Sequence, residues 1–280
     1  MKKLVLLFLI TLFFHNSCFA WSFIKENDAK AVTKLLKSQV RYANRMNFKK
    51  FINTYDSSYV NSDGFDLEIY SNLIKDIWQS FDNIKYAIEI KDIHINDDEA
   101  IVELIETSFA DLKFSNTYDG ELKSSANTVY KLKKIDGKWK VVSDKVLDET
   151  TSMLYGLAKN LDIKLTVPKS IRSNEEYCAT LEFEPPNEVM AIASIASDVV
   201  EYPQKPTQEV FRVLPEDNIL ERLFISNNKN ANEYIVASIG LTKTSICDLN
   251  LRFNLVGFGY HIKRINVEHL NEGVENVKAK

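Results

Sequence analysis

SANTVYKLKKIDGKWKVVSDKVL, residues 125–147, holds two strand-like runs joined by Asp136-Gly137, with Trp139 just past the turn. Asp-Gly favours a type I′ turn because both central positions need positive φ, and the alternating residues on either side make the stretch a β-hairpin. Simple alternation puts Trp139, Val141 and Ser143 on one face and Lys140, Val142 and Asp144 on the other. What precedes the hairpin decides which fold owns it.

Upstream, Val32, Leu35, Leu36, Val40, Ala43 and Met46 recur at three- and four-residue steps, which predicts a helix over 28–47. Asn47 caps a second short helix carrying Phe48, Phe51, Ile52 and Tyr55, and Asp66 caps a third carrying Tyr70, Leu73, Ile74, Ile77 and Trp78. The period then changes to two. Ile84, Tyr86, Ile88 and Ile90 alternate with polar or small residues, and the phase slips to Ile93 and Ile95, which implies a bulge near Lys91-Asp92. Asn96-Asp97-Asp98 makes a turn, Ala100–Phe109 returns as a strand, a polar excursion spans Asp111–Ser124, and the hairpin follows. The order is three helices, then four antiparallel strands in a meander.

With that order, a closing hairpin of the form Tyr130-x-Leu132…Asp136-Gly137-Lys138-Trp139-Lys140-Val141-Val142 resembles the nuclear-transport-factor-2-like superfamily with its SnoaL-like relatives, over residues 26–150. The resemblance implies a cone-shaped α+β domain, three helices on a curved antiparallel sheet, with a pocket between the sheet and the first helix. Members include isomerases, dehydratases, epoxide hydrolases, transport adaptors and periplasmic assembly modules, so the fold does not choose the function.

Residues 151–162 read as a short helix or linker. Residues 163–268 are strand-rich segments separated by turn signals such as Pro185-Pro186-Asn187 and Pro203–Thr207, which predicts a separate all-β antiparallel sandwich domain. This half resembles immunoglobulin-like modules in architecture alone, since no Cys…Trp…Cys signature is present. Val189–Val200 is almost continuously apolar, as a central strand covered on both faces would be, and the glycines of Gly257-Phe258-Gly259 mark a bulge or a close backbone approach. Residues 269–280 form a polar tail.

The 280 residues are 45% hydrophobic and 26% charged, a globular composition with room for two cores. A net charge of −4 leaves no basic surplus to neutralise phosphates and argues against nucleic acid as a partner. Residues 1–20 run from Lys2-Lys3 through an apolar stretch, Leu4–Phe14, to Ala20. That is the layout of a secretory signal peptide, and the stretch is well short of the roughly 20 residues a spanning helix needs. Cleavage after Ala20, a periplasmic or secreted mature chain and no remaining membrane span are the expectation. An uncleaved anchor and a lipoprotein at Cys18 are the alternatives. Cys178 and Cys247 then remain, and in an oxidising compartment the pair reads as one disulfide, with two buried free thiols as the alternative.

Candidate pocket residues are Tyr55, Tyr70, Tyr86 and Tyr130, whose aromatic bodies and polar tips suit a ligand wall, and Asp144 on the last strand. Glu103, Glu106 and His94 are further titratable groups on the sheet, and no catalytic motif joins any of them. Scattered histidines without ligand spacing give no metal site, and the absence of Gly-x-Ser-x-Gly and phosphate-loop patterns gives no cofactor. The reading is an exported, non-catalytic binding protein whose cone holds a small apolar ligand or a partner segment. In that reading the sandwich is a second contact surface, and a homodimer through the open sheet face is the oligomer it suggests. The alternative is a cofactor-free isomerase, dehydratase or hydrolase of SnoaL-like type, using a buried carboxylate and tyrosine hydroxyls.

Overall fold

In a computed structural model of the chain, residues 26–115, 117–229, 231–247 and 250–268 are described. The expected signal segment, residues 1–20, and the polar tail, residues 269–280, lie outside them. Helix α1 covers residues 26–43, α2 Phe48–Ile52 and α3 Leu67–Ser80. The Asn47 side chain accepts from Lys50 N at 3.2 Å and Asp66 from Ile69 N at 2.9 Å, each meeting an amide that the first helical turn leaves free. Val32, Leu36, Gln39 and Ala43 form the buried stripe of α1, and Ile74 and Trp78 that of α3. Among the described residues no helix is long and apolar enough to cross a membrane.

Four long strands follow: β1 (Lys85–Asn96), β2 (Glu99–Phe114), β3 (Tyr118–Ile135) and β4 (Lys138–Gly156). The first pair carries its bulge between Ile90 and Asp92. Asp136 and Gly137 both have positive φ, 50° and 72°, as the turn chemistry requires. The polar excursion at Asp111–Ser124 is itself strand, with only 115–117 between β2 and β3.

The expected cone followed by a separate sandwich is overturned at β4. This strand does not stop at residue 150. It runs to Gly156 and pairs with β12 (Asn250–Glu268) from Thr150↔Lys263 to Gly156↔Gly257. One nine-stranded sheet results, in the order β1-β2-β3-β4-β12-β11-β8-β9, antiparallel apart from β6 (Ser170–Arg172), which lies parallel beside β12. Here β8 is Val189–Val199, β9 Arg212–Val213 and β11 Glu233–Cys247. The supposed linker 151–162 is the end of β4 plus a 3₁₀ turn, Leu157–Asn160. Its alternation is hidden because both faces are covered: Met153 and Tyr155 pack against the helix-side core and Leu154 against a second core. The seam needs glycine. A Cβ on Gly257 would lie 2.6 Å from Ala158 N, and one on Gly259 would run into the Met153 carbonyl oxygen.

The second core lies on the opposite face of the sheet. Ala193, Ile195, Ile235, Ala237 and Ile239 pack there against Tyr177, Ala179 and Leu181 from a three-stranded sheet, β10-β7-β5 (β5 Lys164–Thr166, β7 Glu176–Glu182, β10 Ile219–Ile225). The helices thus cover one face at one end and the small sheet covers the other face at the other end. β8 is buried on both faces from Ala193 to Ala196, as its almost continuous apolar run predicts.

Side-chain tethers cross between the halves on the helix side, among them two that reach the helices and the turn before α3. Asp63, in the turn before α3, pairs with Arg264 of β12 at 2.5 Å and accepts from Asn232 Nδ2 at 2.6 Å. Tyr202, in the segment 200–211 after β8, donates to Asp76 of α3 at 2.5 Å. Cys178 carries a free, exposed thiol on the outer face of β7, whereas Cys247 ends β11 in the other sheet, so the expected disulfide is not formed at Cys178. The Cys247 side chain lies outside the described residues.

Candidate active site

Between α1, α3 and the helix-side face of β1–β4 is a cavity of about 280 Å³. Tyr55, Tyr70, Tyr86 and Tyr130 all line it, so the structure brings the four expected tyrosines together. Leu104 and Glu106 of β2 share its floor, because residues two apart on a strand face the same way, while Gln39 and Trp78 face it from the helices. Glu103 and His94 are exposed.

Tyr130 donates its hydroxyl to Glu106 Oε1 at 2.8 Å. No lysine or arginine pairs with Glu106 among the described residues, and none lines the cavity. Burial pushes the Glu106 carboxyl above the ordinary carboxylate range against the pull of the Tyr130 hydroxyl, and the neighbouring Glu149 charge adds to the push. The Tyr55 and Tyr70 hydroxyls lie 3.0 Å apart, and burial pushes the hydroxyls of Tyr55, Tyr70 and Tyr130 well above their usual range, so all three stay protonated donors. Trp78 Nε1 donates to the Tyr86 hydroxyl at 3.1 Å.

Asp144 does not line the cavity. It sits behind the tyrosines, accepting a short hydrogen bond from Tyr59, whose ring meets Tyr55 and Tyr70 with centroids 5.0 and 5.3 Å away. Burial raises its carboxyl to about 7. The alternation expectation that set Asp144 opposite Trp139 and Val141 fails because β4 carries two bulges. Leu132 pairs with Val141 but Tyr130 with Asp144, and Thr128 pairs with Val146 but Ala126 with Glu149. Each extra residue flips the following side chains to the other face. Trp139, Val141, Asp144, Val146 and Glu149 therefore all face the helices.

Glu149 was not singled out by sequence reasoning, since only the bulges bring it inside. It lines the cavity, accepts from the Tyr234 hydroxyl at 3.2 Å and is raised by burial against the pull of Arg264. Gln39 was also missed. It is 5% exposed and lines the cavity, and its Nε2 has no hydrogen-bond partner. A buried donor left unmet costs about 1–3 kcal/mol. Its signal in the sequence was a lone amide in the apolar stripe Val32-Leu36-Gln39-Ala43. Tyr59, the partner of Asp144, lies in the loop before Gly64 and carries no periodic signal. Among the described residues no three His, Cys, Asp or Glu side chains cluster as a metal site.

Chemically, a tyrosine-braced carboxyl of raised proton affinity on the wall of a mostly apolar cavity can take a proton from a bound molecule or give one to it. Among the described residues no nucleophile–base pair of Ser, Cys or His type lines the cavity.

No family model matches the chain, and no curated protein does. Solved structures give partial similarities. A structure of Bdellovibrio bacteriovorus Bd1075 aligns at 13% identity and a TM-score of 0.36, over 42% of this chain and 39% of that one, so the match spans about two-fifths of that relative. The Kfla4162 protein from Kribbella flavida aligns at 14% and 0.39, over 44% of this chain and 90% of that one. A putative dehydratase of the NTF2-like family from Streptomyces avermitilis aligns at 12% and 0.37, over 43% of this chain and 96% of that one.

Proposed function

We propose that the chain is a cofactor-free acid–base enzyme of the isomerase, dehydratase or hydrolase kind, acting on a small, largely apolar molecule held between α1, α3 and the sheet. The observation that carries the reading is the Glu106–Tyr130 pair at 2.8 Å on the wall of a cavity without a cation. Glu106 moves the proton. Tyr130 orients its carboxyl, and the Tyr55–Tyr70 hydroxyl pair supplies donors that do not ionise. Export to the periplasm or medium belongs to the same proposal and rests on residues 1–20 alone.

The non-catalytic binding role shares the cavity and differs in one respect, whether Glu106 reacts. A panel of small neutral alcohols, epoxides and enolisable carbonyl compounds, incubated in D₂O with the full chain and followed by NMR, separates the two. Deuterium incorporation or turnover of at least one compound is expected, falling by about 10²–10⁴-fold in Glu106→Gln and unchanged in the exposed Glu103→Gln. Compounds that bind but react no faster with the wild-type chain than with Glu106→Gln would establish the binding role instead.

A further inference from the structure

A second hollow, a groove of about 660 Å³, lies where the helix-side face of the sheet continues past the helices. Its floor is β4, β12, β11 and β8, and the segment 200–211 passes over it. Leu73 and Glu149 line both the cavity and the groove. The strand register explains why. Glu106, Ala126 and Glu149 stand directly opposite one another across β2, β3 and β4, and Arg264, Tyr234 and Asp198 do so across β12, β11 and β8. With β4 and β12 paired up to Thr150↔Lys263, these make one row on one face. Two strand spacings separate Glu106 from Glu149, about 10 Å, and five separate Glu106 from Asp198, about 24 Å.

Among the described residues neither hollow has a lysine, arginine or histidine in its lining. Arg264 stands in the row, but its side chain is 1% exposed and its ion pair is with Asp63. The groove's carboxylates are unequally met. Glu201 pairs with Lys205 at 2.8 Å, Asp76 accepts from Tyr202, and Glu209 accepts from Ser238. Glu149 likewise has hydroxyl partners only, Tyr234 and Thr151, so among the described residues Glu201 alone of the five has a cation, and the buried Oδ2 of Asp198 has no partner. Tyr234, Tyr260 and Tyr202 line the same groove, and aromatic rings among carboxylates are a setting that attracts cations. At the inner end, the 5% exposed Gln39 lines the apolar cavity, and its buried Nε2 has no partner.

We propose that the cavity and the groove form one elongated site for an amphipathic cation, an alkylammonium whose apolar body lies in the cavity and whose charged head lies between Glu149 and Asp198. This deepens the reading above and rests on the cavity being the ligand site. The head meets Glu149 and Asp198, the two groove carboxylates that stand in the row with Glu106, and an anionic head of the same length meets only like charge. An eight-carbon chain covers the distance from Glu149 to Glu106.

The test is calorimetric titration of the full chain with octyltrimethylammonium, 1-octanol and octyl sulfate, each below its micelle concentration. One octyltrimethylammonium per chain is expected, bound at least tenfold more tightly than octanol, with no binding of octyl sulfate. Asp198→Asn should weaken the ammonium about tenfold and leave octanol unchanged. Equal affinity for the ammonium and octanol, or an Asp198→Asn chain that binds the ammonium as the wild type does, would overturn the inference. Octanol binding alone would leave the cavity as a ligand site and remove only the cationic head, and Glu106 chemistry is judged separately by its own variant.

Discussion

Tyr130 and Glu106 reach each other diagonally across β3 and β2: Tyr130 stands opposite Val102 and Glu106 opposite Ala126, yet the phenol donates to the carboxyl at 2.8 Å. Both side chains face the helices, and nothing else in the cavity lining offsets the carboxylate's charge. The bond favours the ionised carboxylate, so, with a smaller pull from Thr128, it limits how far burial can push the proton affinity of Glu106.

Tyr130→Phe removes that bond. The Glu106 carboxyl should move further up, since the larger lowering contribution goes while burial and the smaller pull of Thr128 stay. Stability should fall by about 1–3 kcal/mol, and any turnover found on the panel by on the order of tenfold. Urea denaturation and the pH profile of turnover check the two effects separately.

Asp144 links stability to pH. Its carboxyl rises from an ordinary 3.8 to about 7, so the protonated form is favoured in the folded chain. The contribution is fully present below pH 3.8 and is lost as pH rises through about 7, on the order of 4 kcal/mol in all. Tyr59 and Arg264 oppose the rise, and Glu106 and Asp63 add to it. Asp144→Asn should flatten the fall in the urea midpoint between pH 4 and 7, leaving a smaller slope of the same sign from Glu106 and Glu149.

Arg264→Met leaves Asp63 buried without its cation and should cost about 3–5 kcal/mol. The double variant with Asp63→Asn should recover part of that loss. A double-mutant cycle in urea reads the coupling directly.

Gly259→Ala tests the seam between the two halves of the sheet. The added methyl meets the Met153 carbonyl, a backbone group that cannot rotate away, so a loss of about 1–3 kcal/mol is expected. Thermal unfolding followed by circular dichroism checks it, with Gly64→Ala, where a Cβ meets nothing within 4 Å but φ is +83°, as the comparison for conformational strain alone.

Local chemistry was legible along this chain. Asn47 and Asp66 cap helices, Asp136-Gly137 turns a hairpin and the phase slip at Lys91 is a bulge, because each depends on a few neighbouring residues. The four tyrosines were legible for the same reason, lying on the apolar faces of regular helices and strands. The seam was not. Residues 150–156 lose their alternation because Leu154 and Met153 are covered from opposite sides, and their pairing to Gly257 and Gly259 spans about a hundred residues. Nor were the bulges in β4, which place Asp144 and Glu149 on the helix side without any turn residue to announce them.

The most direct test of the central claim is the titration of Glu106 itself, by carbon-13 NMR of glutamate carboxyls in the full chain, with the signal assigned by its loss in Glu106→Gln. The account predicts an inflection clearly above the ordinary 4.5, moving higher in Tyr130→Phe. An inflection at or below 4.5, unmoved by that substitution, would mean that Glu106 is an ordinary solvated carboxylate and that the cavity has no proton to give or take.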